Sequence, residues 1–423
     1  MSSSPKTLTS LAPELITLVS STLLRDDLKS LALTCRLFTR PAQEVLFMSL
    51  EIAGEQIYSF LGTPFEFEHS RGRLAVLEDS ARAEFVRHLR VIAVRPSTAE
   101  LIYNAERSGR YKYFTPSEDI FEVGDAIPTF SVVDLIARLP NLRELELEFP
   151  VTIPTKEQLE RIRINLSSLT TLRLVSGHWD RRHTFLRALV QLTPNLETLD
   201  LCMIAHPRYK EVGNPHSPID RTLLPKLSHL ILRSPYYLSI SRYALLSFDL
   251  IAQISRLTIA FDEATINIDA FSESPREDVS LHNTMNLFGS SLQHLTVTYP
   301  LWAIEDALDK NGAQLIDFYS RSLAPLASLK TLTLGVLFGQ TTLLLKLPPS
   351  CTSITVETDF AIERENLIWF FEDHRHAIGN SLRGRTLRVK SSDSKAINFV
   401  PSWRACQQMG LNVEFTPLAK TSK

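Results

Sequence analysis

Glycine and cysteine are both scarce in this sequence. Only 14 of the 423 residues are glycine, about half of the usual ~7%, and no glycine-rich nucleotide-binding motif is present. The four cysteines are far apart and form no CxxC pair, which disfavours both a zinc finger and a disulfide framework. Such cysteine usage is typical of a reducing compartment, so we expect a cytoplasmic or nuclear protein, or one found in both places.

The sequence also lacks an excess of charge of one sign and lacks long apolar runs. It has 45 basic and 47 acidic residues, whereas nucleic-acid and membrane-surface proteins usually carry a concentrated basic field. No apolar run approaches the ~18 residues of a spanning helix. The apolar N-terminal stretch is interrupted by Pro13 and Glu14, which disfavours a signal peptide. We expect neither a nucleic-acid partner nor a membrane partner.

Motifs that would indicate catalysis or a metal centre are absent as well. The sequence contains neither a nucleophile-elbow motif nor an HExxH zinc motif. His374 and His376 lie within a segment that resembles a core-packed helix, and His178 and His183 have no obvious third ligand. We therefore predict no cofactor, no metal site and no catalytic residues, with an unrecognised hydrolase as the alternative that a Ser/His/Asp cluster would reveal.

The first fifty residues predict three short helices. Leu15, Leu18 and Val19 are spaced as one face of a helix. Asp26 is positioned to cap a second helix, and a third helix is predicted to begin near Pro41. These helices carry more apolar surface than so small a unit can bury, which indicates either a partner surface or a helical cap packed on the rest of the chain.

This segment resembles an F-box. The resemblance covers about 40 residues, including Leu11 to Leu15, the Asp27–Leu28 pair and the Cys35–Arg36 pair, with Ala12 in place of the usual first proline. F-boxes dock on the adaptor Skp1 and through it on a cullin, and Cys35 would then be a small buried apolar residue. The resemblance implies that adaptor docking, or the small core beneath the docking surface, involves Leu11, Pro13, Glu14, Leu15, Val19, Leu23, Leu28, Leu31, Leu33 and Phe38.

The rest of the sequence contains a repeat with apolar residues at its first, fourth and sixth positions. Neighbouring repeats start 27 to 38 residues apart, and Pro–Asn or Pro–Lys precedes three of them, as expected where a helix ends before a strand. Helices are predicted between strands, for instance over 131–138 and 184–191. The strong copies start at Leu142, Leu169, Leu196, Leu227, Ile254, Leu292 and Leu329, and weaker copies start at Val86, Cys351 and Gly384.

This array resembles the leucine-rich-repeat family, whose repeats of about 20–29 residues each form a strand and a returning helix. The resemblance implies an α/β fold in which an irregular, right-handed, curved solenoid carries parallel strands on its concave face. We predict an F-box over 1–50, a connecting segment over 51–84, the solenoid over 85–415 with an insertion at 95–130, and a tail over 416–423. A generic α/β domain with leucine-rich strands is the alternative.

One departure from the family concerns the ninth repeat position, eight residues after the first leucine. Leucine-rich repeats usually place Asn or Cys there, where the side chain bonds to the turn backbone. This sequence has neither, so we expect turns whose backbone groups are satisfied in differing ways. The residues at this position are Pro150, Gly177, Ile204, Pro235, Asp262, Pro300 and Leu337.

The third, fifth and seventh positions of each repeat would face away from the core, because side chains alternate along a strand. One end of this face is acidic, its middle is rich in threonine and its far end is basic. We predict that a substrate binds there, with a basic segment near the acidic end; a solvated strand face without a partner is the alternative. The candidate residues are Glu144, Glu146, Glu148, Arg173, Asp200, His229, Arg233 and Arg388.

Together these features predict a non-catalytic protein that recognises substrates for a Skp1–cullin–F-box (SCF) ubiquitin ligase. The irregular repeats resemble those of fungal F-box proteins with leucine-rich repeats. The sequence does not identify the protein substrate, and Arg173 and Arg233 are the candidates for recognising a phosphorylated one. The alternative is a leucine-rich-repeat scaffold for protein interactions that does not direct degradation.

Overall fold

The structure is a computed structural model, and the chain divides into two compact units. Unit 1 comprises Met1–Ser176 and Thr184–Leu196, and unit 2 comprises Gly177–His183 and Glu197–Lys423. The residues described are 12–55, 80–94, 136–148, 156–176, 182–203, 218–233, 246–260, 288–289, 291–298, 323–335, 347–358, 381–391, 407–408 and 410–417.

Three helices open unit 1. They are α1 (Pro13–Ser20), α2 (Arg25–Thr34) and α3 (Arg36–Phe47), and α3 packs against both of the others. We call them the N-terminal helical segment. Its core includes Ile16, Leu28, Phe38 and Ala42, all of which are buried.

Two predicted helix starts are wrong. Helix α2 begins at Arg25 without a side-chain cap, and Asp26 instead pairs with Lys29 over 2.8 Å within the helix. Helix α3 begins at Arg36, after a single extended residue, and contains Pro41 in its interior. A proline there removes one helical hydrogen bond, but Pro41 is buried with Phe38 and Ala42 on one face of the helix, which offsets that loss.

Four parallel strands follow in unit 1, paired in chain order. They are β1 (Ser49–Glu55), β2 (His88–Val94), β3 (Glu144–Glu148) and β4 (Thr171–Ser176), and Leu50, Leu89, Leu145 and Leu172 lie in register. The described residues of this part of the chain form the helices α4 (Ser80–Ala83), α5 (Lys156–Leu166) and α6 (Arg182–Val190). The helix predicted over 184–191 is therefore confirmed.

The described residues of unit 2 form eight further parallel strands, and each pairs with the next one along the chain. A short helix, α7 (Phe248–Ile251), lies between the second and third of them. The strands are β5 (Thr198–Met203), β6 (His229–Arg233), β7 (Arg256–Ala260), β8 (His294–Thr298), β9 (Thr331–Leu334), β10 (Ser353–Thr358), β11 (Thr386–Ser391) and β12 (Asn412–Pro417).

The predicted repeat pattern is confirmed as the core of both units. Its first, fourth and sixth positions are buried, as Leu227, Leu230 and Leu232 illustrate. Strands that pair in chain order in each unit are the arrangement of a repeat-type α/β fold. Two strands, β1 and β12, lie where no repeat was predicted. The residues at 95–130 and at the seven ninth positions lie outside the described residues, as do His178, His374 and His376.

One weak copy needs a correction. Gly384 is exposed, and Arg385 occupies the buried position instead. In the other repeats, the buried residue at the first position lies three positions before the first buried residue of the strand. In this repeat and the next it lies only two positions before it, because Gly384 and Gly410 adopt φ of +76° and +90°. Glycine tolerates this left-handed conformation, so each turn is one residue shorter.

Asparagine side chains link successive repeats of unit 1. Asn141 Nδ2 donates to the Glu84 carbonyl at 2.9 Å, and Asn195 Nδ2 donates to the Ser167 carbonyl at 2.7 Å. Each asparagine lies directly before the first position of its own repeat. Each acceptor carbonyl lies two residues before the first position of the preceding repeat. The Pro–Asn pairs of the sequence therefore satisfy turn carbonyls as well as ending helices.

Candidate functional site

Helix α1 presents its apolar face to solvent. Leu15, Leu18 and Val19 are 48%, 63% and 42% exposed, whereas Ile16 and Ser20 are buried. Residues three and four positions apart lie on one face of a helix. Most apolar residues of this helix therefore point away from the core of the segment.

The other two helices add exposed leucines. Leu24, which precedes α2, Leu33 in α2 and Leu37 in α3 are 76%, 89% and 57% exposed. Leu28 and Phe38, by contrast, are in the core. We define the apolar helical surface as Leu15, Leu18, Val19, Leu24, Leu33 and Leu37.

The structure divides the predicted docking residues between surface and core. Leu15, Val19 and Leu33 belong to the apolar helical surface, Glu14 is exposed beside it, and Leu28 and Phe38 are buried. Leu23 and Leu31 are half-buried. Leu11 lies outside the described residues, and the side chain of Pro13 is likewise not described.

Three residues of this surface, Leu18, Leu24 and Leu37, were not predicted as docking residues. Leu18 belongs to the i, i+3, i+4 pattern of α1, so its spacing already placed it beside Leu15 and Val19. Leu24 and Leu37 lie off the predicted apolar faces. Both leucines are apolar but do not belong to the buried face of a helix, and this property could have identified them from the sequence.

The polar strand face of unit 1 carries alternating charges. We use this term for the side chains that point away from the core, beginning with Glu51, Arg90, Glu146 and Arg173 on successive strands. Arg90 Nη1 lies 3.2 Å from Glu51 Oε2, and Arg90 Nε lies 3.0 Å from Glu146 Oε1. Arg173 Nη1 contacts the same Glu146 oxygen at 3.0 Å.

The arginine pairs compensate part of the acidity that the sequence predicted for this end. Glu146 accepts two arginines, and His88 Nδ1 lies 2.8 Å from Glu144 Oε2. The side chain of Glu148 is not described. A basic segment binding here would have to displace these partners, so the prediction of a basic substrate loses part of its support. Arg173 is likewise engaged, which makes it a weak candidate for recognising a phosphate.

The polar strand face of unit 2 has charge pairs at two places. Arg233 Nε donates to both carboxylate oxygens of buried Asp200, at 2.9 and 3.0 Å. Arg388 Nε donates to Glu414 Oε2 at 2.6 Å. The hydrogen bond from Arg388 and its charge, with a further bond from Asn412, hold the pKa of Glu414 below its ordinary value. Arg233 and Arg388 are thus both compensated.

Between these pairs, two histidines flank an arginine. Arg256 of β7 lies in register with His229 of β6 and with His294 of β8. His229 Nε2 is 3.1 Å from Thr258 Oγ1, and His294 Nδ1 is 2.7 Å from Thr331 Oγ1. Partial burial and the charge of Arg256 lower the pKa of His229 to about 4 and also lower the pKa of His294. Both imidazoles are therefore neutral at neutral pH.

The described residues offer little sign of other chemistry. Burial raises the pKa of the Cys351 thiol to about 11, so this thiol is protonated and poorly nucleophilic. Cys35 is half-buried, less deeply than expected. Within the described ranges, no three potential ligands are grouped so as to hold a metal ion. Nor is any helix there long and apolar enough to cross a membrane.

Comparisons with known proteins do not add a function. No protein-family model matches the chain, and no curated protein matches it. The surfaces described above are therefore interpreted from their geometry and chemistry.

Proposed function

We propose that this chain is the substrate-recognition subunit of an SCF ubiquitin ligase. In this proposal the N-terminal helical segment is an F-box that docks on Skp1, and the parallel-strand repeats are leucine-rich repeats that hold the substrate. The observation that carries the proposal is the apolar helical surface, which leaves six large apolar side chains exposed on a three-helix segment.

The energetic argument for a partner starts from the cost of this exposure. Burying one Leu or Val side chain stabilises by about 1.5–3 kcal/mol, so covering several of them would supply much of an interface. No other residue in the part of the chain that the structure describes covers these side chains. This observation disfavours the alternative that the helices only cap the repeats.

The remaining part of the proposal concerns how such a receptor acts. The repeats would hold a protein substrate while the helices tether the complex to the ligase. Tethering raises the effective concentration of the substrate near the ubiquitin-charged enzyme. The chain itself would contribute binding and positioning, and no covalent step.

The test is direct binding of the full chain to purified Skp1, measured by calorimetry. We expect the double variant Leu15→Asp/Leu33→Asp to weaken binding by about 100-fold or more, because it places two carboxylates in an apolar interface. Ile164→Asp is the matched control, since Ile164 is 82% exposed but lies in α5. All three substituted side chains are exposed, so the thermal unfolding midpoint should stay nearly constant.

Absence of binding by the unmodified chain would contradict the proposal, as would equal affinities of the double variant and the unmodified chain. If Skp1 binds, the abundance of a bound partner protein should be compared in cells with and without this chain. That comparison separates the role of a ligase receptor from the role of a scaffold. A partner that accumulates indicates a ligase receptor. A stable partner of unchanged lifetime indicates a scaffold that does not direct degradation.

A further inference from the structure

We propose that the polar strand face around Arg256 binds an acidic segment of a protein partner. The surface comprises His229, Arg256 and His294 together with the neighbouring threonine hydroxyls of β7 to β9. The inference rests on the proposed function insofar as this partner is the substrate, and it names the chemical class of that substrate.

Arg256 differs from the other arginines of the two polar strand faces. Arg90, Arg173, Arg233 and Arg388 each lie within 3.2 Å of a carboxylate oxygen. Arg256 is exposed and forms no ion pair or hydrogen bond through its side chain with any residue in the described part of the chain. Its guanidinium is therefore a fixed positive charge with unused donors.

The surroundings of Arg256 leave this charge uncompensated. The residues in register on both sides are His229 and His294, whose pKa values are lowered. A neutral imidazole neither cancels the charge of Arg256 nor competes with it for an anion. Among the described polar-face side chains of β7, β8 and β9, none is acidic.

Hydroxyl groups extend the surface along the neighbouring strands. Thr258, Thr296 and Thr333 follow one another in register from β7 to β9, and Thr355 continues the row on β10. Adjacent strands lie about 4.8 Å apart, so the hydroxyls form a closely spaced row. The hydroxyls of Thr296, Thr333 and Thr355 can each donate a hydrogen bond to an oxygen of a bound carboxylate or phosphate, and Thr258 can do so in the tautomer in which His229 Nε2 is the donor to it.

The chemistry favours an acidic peptide as the occupant. A guanidinium binds carboxylates and phosphates through paired, charge-assisted hydrogen bonds. A nucleic acid would instead require several cations following its phosphates, whereas Arg256 stands between two neutral histidines. The sequence predicted that a basic segment binds near Glu144. In the folded chain, however, glutamates of unit 1 are paired with arginines, whereas Arg256 has no carboxylate partner among the described residues. The charge balance therefore favours an acidic segment bound at Arg256.

The experiment measures fluorescence anisotropy of labelled short peptides titrated with the full chain, in the absence of Skp1. Three peptides share one sequence and differ at repeated positions, which hold serine, glutamate or phosphoserine. We expect the acidic peptides to bind more tightly than the serine peptide. We also expect Arg256→Glu to weaken their binding by about tenfold or more, because it reverses the central charge.

Arg221→Glu is the matched control, because Arg221 is an exposed arginine of unit 2 outside the strands. It should leave acidic-peptide affinity within about twofold, since a charge away from the bound groups is screened. A preference for phosphoserine over glutamate would indicate recognition of phosphate, and equal affinities would indicate recognition of carboxylate. Both results support an acidic partner.

Three outcomes would overturn the inference: no binding of either acidic peptide, equal binding of the serine peptide, or equal losses in both arginine variants. Tighter binding of a single-stranded RNA than of the acidic peptides would overturn it as well. Because Skp1 is absent, these outcomes are independent of adaptor docking. The Leu15→Asp/Leu33→Asp variant should bind the acidic peptides like the unmodified chain.

Discussion

At the scale of single residues, burial and the charge of Arg256 together lower the pKa values of two histidines. Partial burial is the largest cause of the lowered pKa of His229 and of His294, and the nearby Arg256 charge adds to it. For His229 the folded-state pKa of about 4 lies below the unfolded value of about 6.5. The folded state then binds fewer protons between these pH values, so acidification through this range destabilises the fold.

We expect NMR titration of the histidine ring signals to show this coupling. The His229 midpoint should lie well below an ordinary histidine value, and Arg256→Gln should raise the midpoints of both His229 and His294 because it removes a neighbouring positive charge. Assignment of the signals, among 11 histidines, can use His229→Gln and His294→Gln. An ordinary His229 midpoint, or midpoints that Arg256→Gln leaves in place, would contradict this account.

At the scale of elements, the turns before the strands are tied to earlier repeats. Asn141 and Asn195 donate to backbone carbonyls at equivalent repeat positions in unit 1. In unit 2, Gln253 Nε2 donates to the carbonyls of Leu224 and Leu227, at 2.8 and 2.9 Å. Amide side chains thus satisfy turn carbonyls just before the strand, whereas the leucine-rich-repeat pattern would place an asparagine at the ninth position.

Asn195→Ala tests the contribution of this bond. We expect the free energy of unfolding to fall by about 1 kcal/mol, because a typical hydrogen bond contributes roughly that amount. Hydrogen exchange should also become faster near Ser167, whose carbonyl loses its donor. Gln191→Ala is the control, since Gln191 is exposed at the end of α6. Equal stability of the asparagine variant and the control would show that the bond contributes little.

Also at the scale of elements, strands were easier to predict than helix ends. The alternation of buried and half-buried residues in β6, β8 and β9 follows directly from the period of two in the sequence. Helix starts depend on weaker local preferences. Asp26 is a good cap by residue type, yet it lies inside α2, and the burial of Pro41 outweighs its poor helix propensity.

At the scale of the whole molecule, each strand pairs with its neighbours in sequence, so stability should be local. In repeat proteins each repeat contacts mainly the adjacent ones, and unfolding need not be a single transition. Both units have their own columns of buried leucines, such as Leu89 and Leu145 in unit 1 and Leu257 and Leu295 in unit 2.

The two units should therefore respond separately to core substitutions. Leu257→Ala should cost about 2–5 kcal/mol locally and lower hydrogen-exchange protection in β6, β7 and β8 more than in β1 and β2. Leu89→Ala should show the reverse pattern. Hydrogen exchange measured by mass spectrometry on both variants provides reciprocal controls. A uniform loss of protection across the chain in both variants would indicate one cooperative unit instead.

The candidate sites were predicted only in part. Exposed Leu15, Val19 and Leu33 were among the predicted docking residues, but their separation from buried Leu28 and Phe38 required the packing of α3 against α1 and α2. Likewise, Glu146 was recognised as a surface residue, while its two arginine partners were not. Arg256 was overlooked because nothing near it in sequence shows whether its charge is paired.

Local periodicity in the sequence specified the repeats, their buried positions and the helix over 184–191, because alternation along a strand and spacing along a helix are properties of neighbouring residues. The charge balance of the polar strand faces depended on folding. Arg90 meets Glu146 across 56 residues, and Asp200 meets Arg233 across 33. Such pairs form only when strand register brings distant residues together, and register also leaves Arg256 between two neutral histidines.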